Sequence, residues 1–231
     1  KYVQKIKGMP VFHMIGQRLF TGRVAVAQAA LTFRREIFKN TKEYTDAKEC
    51  WGPQGNVSLS TLPHLKALYE ESDEKCTAVD NFVLACERDL RVCLETSTLP
   101  SVQLVEAIAA AKVRAVEESI EFCHRLRNEV GSYALMEESG FGQTDFLQCC
   151  KFAEGDSRIL MQKMARDRMK KFAKQGGEHN DDEETRLCAA LNAGMLADIE
   201  SGKASNKHDA WELRWQEVYN LANVMIDNVI K

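Results

Sequence analysis

Residues 151–158 read Lys151-Phe152-Ala153-Glu154-Gly155-Asp156-Ser157-Arg158, and a helical pattern begins directly after them. Glycine marks a break in regular structure, and aspartate or serine is favoured at the residue that caps a helix. Glu154 is therefore predicted to lie in a turn immediately before an amphipathic helix. A carboxylate there can be held rigidly and aimed at a ligand, although most chains use such a pattern only to begin a helix.

The chain before this turn predicts three long helices. Apolar residues recur at spacings of three and four from about Ile15 to Asp46, from Pro63 to about Thr96 and from Ser101 to about Val130. The few prolines and glycines, four and thirteen in the chain, cluster between periodic segments. Long consecutive helices joined by short loops pack antiparallel, so we expect a helical bundle.

The chain after the turn predicts three more helices: a fourth bundle helix from about Asp156 to Lys174, then Glu183–Glu200 and Ala210–Ile230. Ser205 or Asn206 can cap the last of these. The predicted fold is therefore all-α. It consists of an antiparallel four-helix bundle over residues 1–174, a polar linker over 175–182 and a C-terminal helical hairpin over 183–231.

Composition narrows the classes of function. The 231 residues carry a formal net charge of -3, which gives no electrostatic case for binding nucleic acid. Every long apolar stretch is interrupted by charge before it reaches the roughly 20 residues of a membrane span. The eight cysteines lie mostly among apolar helical neighbours, which predicts reduced thiols in a cytosolic, mitochondrial or peroxisomal compartment. Neither the cysteines nor the histidines have zinc-site spacing, so we predict no metal site.

The carboxylate of Glu154 is the first candidate catalytic group. A carboxylate can remove a weakly acidic proton only if it is oriented at the carbon and desolvated enough to bind the proton. Phe146, Phe152 and Ile159 are the apolar residues that could supply this desolvation. The alternative is that Glu154 is a surface residue near a helix start.

The segment Glu154-Gly155-Asp156-Ser157 resembles a motif of the acyl-CoA dehydrogenase and acyl-CoA oxidase superfamily. The dehydrogenases have Tyr-Glu-Gly-Thr and the oxidases Tyr-Glu-Gly-Asp-Asn, both leading into a helix, and Ala153 stands here in place of the tyrosine. The resemblance implies that Glu154 is the base that removes the α proton of an acyl-CoA. It also implies that the Glu154 backbone N–H helps hold the thioester oxygen and that Gly155 contacts the substrate.

A second match lies in the first helix. Family members have an arginine at the start of this helix and, after an interval, Tyr-(Ala)-x-x-Arg-x-x-Phe-Gly; here Arg23 is followed by Tyr44 to Gly52 with Lys48 and Trp51 at the later positions. The resemblance implies that Arg23, Lys48 and Trp51 contact the pyrophosphate and adenosine end of FAD. In some dehydrogenases the residue before this arginine is the base, but Gly22 occupies that position here.

A third match involves Gly131. The segment Asn128–Leu135 resembles the family's Gln-x-x-Gly-Gly-x-Gly-Tyr, whose glycines approach the flavin of a neighbouring subunit, although Ser132 and Ala134 replace two of the glycines. This match implies that Gly131 contacts FAD in a homo-oligomer, either a dimer or a tetramer. The loop Gly52–Leu65 is similar to the longer loop of the oxidases.

The resemblance covers residues 23–174 and implies that the chain is the C-terminal, base-bearing part of a longer flavoprotein. The implied reaction forms a 2-enoyl-CoA by loss of the α proton to Glu154 and of a β hydride to FAD. The electron acceptor is oxygen in an oxidase or an electron-transfer flavoprotein in a dehydrogenase, and the compartment is mitochondrial or peroxisomal. The alternative is a catalytically silent helical-bundle subunit whose C-terminal hairpin mediates assembly.

Overall fold

The computed structural model of the chain describes residues 11–52, 55–176 and 182–231. These residues form eight α-helices: α1 (Val11–Ala47), α2 (Pro63–Glu95), α3 (Val102–Glu129), α4 (Asp145–Phe152), α5 (Ser157–Lys174), α6 (Glu183–Glu200), α7 (Lys207–Leu213) and α8 (Trp215–Ile230). The described strands are β1 (Glu49–Cys50) and β2 (Val57–Ser58), which pair antiparallel with Glu49 opposite Ser58. The predicted all-α class is confirmed.

The described residues divide into two compact units between Gly155 and Asp156. Helix α5 therefore belongs to the second unit, whereas the sequence-based boundaries place it with the first three helices. The predicted linker lies partly at residues 177–181, outside the described residues, so the boundaries at 174 and 183 stay a prediction. None of the described helices is long and apolar enough to cross a membrane.

Helices α1, α2 and α3 of the first unit run up, down and up. The side chain of Gln17 donates to the carbonyl of Thr98 near one end, and Thr45 is hydrogen-bonded to Tyr69 near the other, so α1 and α2 are antiparallel. Ion pairs of Glu129 with His64 and of Arg125 with Glu71 join the end of α3 to the beginning of α2, so these two helices are also antiparallel, as expected for long helices joined by short loops.

Small side chains form the interface of α1 with α3. Ala27, Ala30, Ala110, Ala111 and Ala115 are completely buried. Alanine allows two helix backbones to approach closely, and the larger core side chains fill the space on either side. This close approach brings the middle of α1 next to the part of α3 that faces the Glu154 turn.

Helices α5 to α8 make up the second unit, with a core that includes Leu160, Leu191, Leu221 and Ile226. The prediction of one helix over 210–230 is wrong, because α7 ends at Leu213 and α8 begins at Trp215. Asn206 caps α7 by accepting hydrogen bonds from two backbone N–H groups, which confirms one of the two predicted caps.

Candidate active site

Glu154 lies in the predicted turn between α4 and α5, and its backbone is in the left-handed region. Its φ is +54°, and that of Gly155 is +105°. Glycine adopts such angles freely, but a residue with a side chain is disfavoured there by about 1–2 kcal/mol. Contacts with the surrounding protein must therefore hold Glu154 in this conformation.

Two cationic side chains supply those contacts. Arg23 of α1 donates from Nε to the carbonyl oxygen of Glu154 at 2.9 Å. Lys112 of α3 donates from Nζ to the carbonyl of Lys151 at 2.6 Å and to that of Gly155 at 2.9 Å. Hydrogen bonds from charged donors are stronger than neutral ones. The turn is therefore anchored before, at and after Glu154.

The Glu154 side chain lies directly on the backbone of α1 at Gly22. A Cβ atom on Gly22 would lie 2.6 Å from Cγ and 2.7 Å from Oε1 of Glu154, closer than real Cβ contacts. Any other residue at position 22 would therefore displace the carboxyl group. The two positions at which the family resemblance locates a base, 22 and 154, share one space in this chain.

Arg23 is partly buried beside this carboxylate. Burial lowers the pKa of the Arg23 guanidinium, and the negative charge of Glu154 opposes that shift. Arg23 also lies over the ring of Phe20, with 5.6 Å from Cζ to the ring centroid. The resemblance implies an arginine at the start of the helix. Helix α1 begins at Val11, however, so Arg23 lies about three turns inside it.

The apolar residues proposed to desolvate Glu154 are largely in contact with solvent. Phe146 is 44% exposed, Ile159 61% and Phe152 63%. The ring of Phe146 packs against Phe33 with centroids 5.5 Å apart. These three residues therefore do not form a buried apolar layer; Glu154 is partly buried, with its carboxyl group against Gly22 of α1.

The remaining predicted site residues lie at the other end of α1. Lys48 and Trp51 follow its last residue, and the Trp51 side chain is 81% exposed. Tyr44 stacks on Tyr133 with ring centroids 3.9 Å apart, which joins this end of α1 to the turn that contains Gly131. Gly131 has a φ of +60° and no atom within 4 Å of an added Cβ.

The predicted site residues thus form two groups. Glu154, Gly155 and Arg23 lie together, whereas Lys48 and Trp51 lie beyond the end of α1 at Ala47, which is about 36 Å of helix from Arg23. The second group suits part of a dinucleotide, since an exposed indole can stack, an ammonium attracts phosphate and Gly131 leaves open space. Arg23 does not join that group within one chain.

The sequence-based predictions missed Lys112 as a member of the site. It is completely buried in the run Ile108–Val113 of α3, where it is the single charged side chain. A lysine in such an apolar run signals a buried cation with strong partners, because an unpaired buried charge is very unfavourable. The sequence offers that signal but does not identify the partners.

Two other features of the described residues lie away from Glu154. A groove of about 560 Å³ between α1 and α2 is lined by residues that include Arg34, Lys39, Lys42, Asp73 and Asp80. Its cations and carboxylates are interspersed, so it favours neither sign of charge. The described residues contain no group of three or more His, Cys, Asp or Glu side chains that could hold a metal ion.

Comparison with known proteins identifies the fold. No protein-family model and no curated protein sequence matches the chain. Among solved structures, the chain is similar to an acyl-CoA oxidase from tomato (Lycopersicon esculentum), with a TM-score of 0.76 and 13% identity over 100% of this chain and 41% of that one. It is also similar to acyl-CoA oxidase 1 of Arabidopsis thaliana (TM-score 0.69, 12% identity, 97% and 40%) and to acyl-CoA oxidase 3 of Yarrowia lipolytica (0.59, 13%, 92% and 38%).

These matches extend beyond residues 23–174, the part of the chain that carries the motifs. The tomato structure matches the whole chain, so the similarity includes the C-terminal helices α6 to α8. The chain spans about two-fifths of the length of the oxidases it matches. It therefore has the fold of part of an acyl-CoA oxidase, which confirms at the level of the fold the resemblance recognised around Glu154.

Proposed function

We propose that the chain is the base-bearing part of a flavin-dependent acyl-CoA oxidoreductase that forms 2-enoyl-CoA, with Glu154 as the base. One observation carries the proposal: the Glu154 carboxyl group is seated on Gly22 by a turn that Arg23 and Lys112 anchor. A disfavoured backbone conformation held by one buried and one partly buried cation is typical of a functional turn and not of a simple helix start. The fold similarity to acyl-CoA oxidases supports the same assignment.

In the proposed reaction Glu154 accepts the proton from the carbon next to the thioester carbonyl. Proton transfer requires the carboxylate and the carbon to be held within hydrogen-bond reach, and a fixed turn lowers the cost of that alignment. The backbone N–H groups at Glu154 and Gly155 are the proposed donors to the thioester oxygen. Negative charge accumulates on that oxygen as the proton leaves, so donors fixed in advance stabilise the transition state.

FAD is the proposed cofactor. When bound, it supplies the acceptor for the hydride that leaves the β carbon. Lys48, Trp51 and Gly131 are the proposed contacts for the dinucleotide at one end of α1. The resemblance implies that Arg23 is a further FAD contact. Its Nε–H donates to the Glu154 carbonyl, and Arg23 is distant from Lys48 and Trp51.

The chain's partners follow from this assignment. Acyl-CoA is the proposed substrate, and the two separated groups of site residues favour a homo-oligomer in which each chain contributes to more than one flavin site. The fold match to oxidases favours oxygen as electron acceptor over an electron-transfer flavoprotein. A peroxisomal or mitochondrial location accords with eight free thiols.

The test compares Glu154→Gln with Glu137→Gln in the full natural protein that contains this chain. Glu137 is an exposed carboxylate in the same unit and serves as the control. We expect the purified protein to show flavin absorbance. We also expect Glu154→Gln to lower acyl-CoA turnover by about 10²–10⁴-fold, as for loss of a general base, with the control unchanged. A protein without flavin whose turnover does not depend on Glu154 would instead support the assembly subunit.

A further inference from the structure

The ammonium group of Lys112 lies where two parts of the Glu154 turn meet α3. We propose that Lys112 is a positioning residue that sets the orientation of Glu154 by holding the backbone on both sides of it. This inference rests on the proposed function, in which Glu154 is the base. It assigns Lys112 no contact with substrate or flavin.

Lys112 is placed unusually for a lysine. Its side chain is completely buried, and its neighbours Ala111 and Val113 are 0% and 2% exposed. Transfer of an ammonium group out of water costs several kcal/mol unless strong partners replace the water. A methionine or leucine would fill the same space in α3 without that cost, so the charge itself has a role.

The two carbonyl groups that Lys112 holds flank Glu154 in the chain. One belongs to Lys151, three residues before Glu154, and the other to Gly155, the residue after it. A single ammonium group thus fixes the start and the end of the turn relative to α3. Arg23 of α1 fixes the carbonyl of Glu154 itself, so the turn is tied to both helices.

The carbonyl of Lys151 lies in the last turn of α4. Carbonyl groups in the last turn of a helix have no intrahelical donor, and the helix dipole places partial negative charge there. A buried cation at this point satisfies one such group and interacts favourably with the dipole. Lys112 therefore also defines where α4 ends and the turn begins.

A second contact keeps α4 attached to α3 independently of Lys112. The side chain of Lys151 donates to Oε2 of Glu117 at 2.9 Å. Glu117 lies five residues after Lys112 in the same helix. Because this ion pair does not include the Lys112 side chain, loss of the Lys112 ammonium is expected to release the turn without detaching α4.

The experiment measures two quantities separately: the rate of proteolysis at the Glu154 turn and the rate of acyl-CoA turnover. Lys112→Met keeps the length and the apolar stem but removes the donors, and Lys112→Arg keeps a charged donor. Leu126→Ala is the control for general destabilisation, because Leu126 is completely buried in the same helix, about 21 Å along the helix axis from Lys112. A glutamate-specific protease reports the turn directly, since cleavage after Glu154 requires local opening.

We expect Lys112→Met to accelerate cleavage after Glu154 at least about tenfold, whereas Leu126→Ala should accelerate cleavage after Glu154 no more than after other glutamates of the helices. Lys112→Arg is expected between the wild type and Lys112→Met. In the full natural protein, kcat for acyl-CoA is expected to fall about tenfold or more and KM to change less, because Lys112 itself contacts no substrate while the turn orients groups that act mainly in the transition state. If Lys112→Met does not fold, the cleavage rate and kcat of Lys112→Arg, each compared with the wild type and Leu126→Ala, test the proposal instead.

Three results would separate the claims. Cleavage after Glu154 that is no faster in either Lys112 variant than in Leu126→Ala contradicts the role of Lys112 in the turn. Faster cleavage with an unchanged kcat contradicts its role in catalysis. A wild-type protein that does not turn over acyl-CoA contradicts the proposed function, while the cleavage result still decides whether Lys112 holds the turn.

Discussion

The carboxyl group of Glu154 occupies the space that a side chain at Gly22 would take, with Oε1 only 2.7 Å from the position of a Cβ atom there. The two residues are 132 positions apart in the sequence. Their contact places a carboxylate against the backbone of a long, well-packed helix.

Gly22→Ala tests whether the Glu154 carboxyl group occupies the space beside Gly22. Alanine in a helix interior normally adds up to about 1 kcal/mol of stability, but here the added methyl group must push Glu154 away. We expect no gain in Tm and a loss of about 10²-fold in kcat, since a displacement near 1 Å of a catalytic group has that effect. Thermal unfolding and steady-state kinetics in the full natural protein measure both quantities.

Gly16→Ala is the matched control for this prediction. Gly16 lies in the same helix, and a Cβ there would meet only the ring of Phe20 at 4.0 Å, an ordinary contact. It should raise Tm and leave kcat unchanged. Equal behaviour of the two variants would show that Glu154 does not rest on Gly22.

The backbone conformation of Glu154 predicts a trade-off between stability and activity. Glu154→Gly relieves a disfavoured positive φ, so we expect a gain of about 1 kcal/mol, or about 2–4 °C in Tm, together with loss of turnover. Ser97 has the same φ of +54°, and Ser97→Gly should give a similar gain with turnover retained. A fall in Tm for Glu154→Gly alone would contradict strain at the turn.

The eight thiols should react in an order set by burial. Burial raises the pKa of Cys86 to about 11 and that of Cys123 to about 12, whereas Cys149 is exposed. At about pH 8 the buried thiols carry almost no thiolate, the reactive form, so iodoacetamide should modify Cys149 well before Cys123. Peptide mass spectrometry of the native chain gives the order, and early labelling of Cys123 would contradict the packing of α3.

Substitution of Trp51 should weaken cofactor binding without changing the stability of the fold. Its side chain is largely exposed, so Trp51→Ala should change the free energy of unfolding by less than about 0.5 kcal/mol. If the indole stacks on the adenosine end of FAD as proposed, the same change should weaken FAD binding in the full natural protein by roughly 1 kcal/mol. Flavin titration measures the affinity, and Trp215→Ala, at a half-exposed tryptophan of the second unit, is the control.

Helical periodicity was sufficient to predict most helices of this chain, because apolar spacing directly records which face is buried. It failed at Arg214, where α7 and α8 meet. The Arg214 side chain donates to Asp198 at 2.7 Å and occupies the space beside Gly194 of α6. A contact between separate helices does not change the apolar periodicity of the sequence around residue 214, so periodicity could not reveal this break.

The site was predictable only in part for a similar reason. The break at Glu154 and Gly155 is local, so the sequence reveals the turn and its helix start. The seat on Gly22 and the anchors at Arg23 and Lys112 depend on how α1 and α3 pack. Lys48 and Trp51 are far from Arg23 because α1 is one uninterrupted helix between them. The spacing of these residues in a family motif does not show that they are distant in space.

The most direct measurement is exchange of the α proton of an acyl-CoA with deuterated water, catalysed by the full natural protein. Proton removal by Glu154 predicts exchange that Glu154→Gln lowers about 10²-fold or more and that Glu137→Gln leaves unchanged. Mass spectrometry of the recovered acyl-CoA reports the exchange without requiring the complete oxidation. Exchange that continues at the wild-type rate in Glu154→Gln would contradict the assignment of Glu154 as the base.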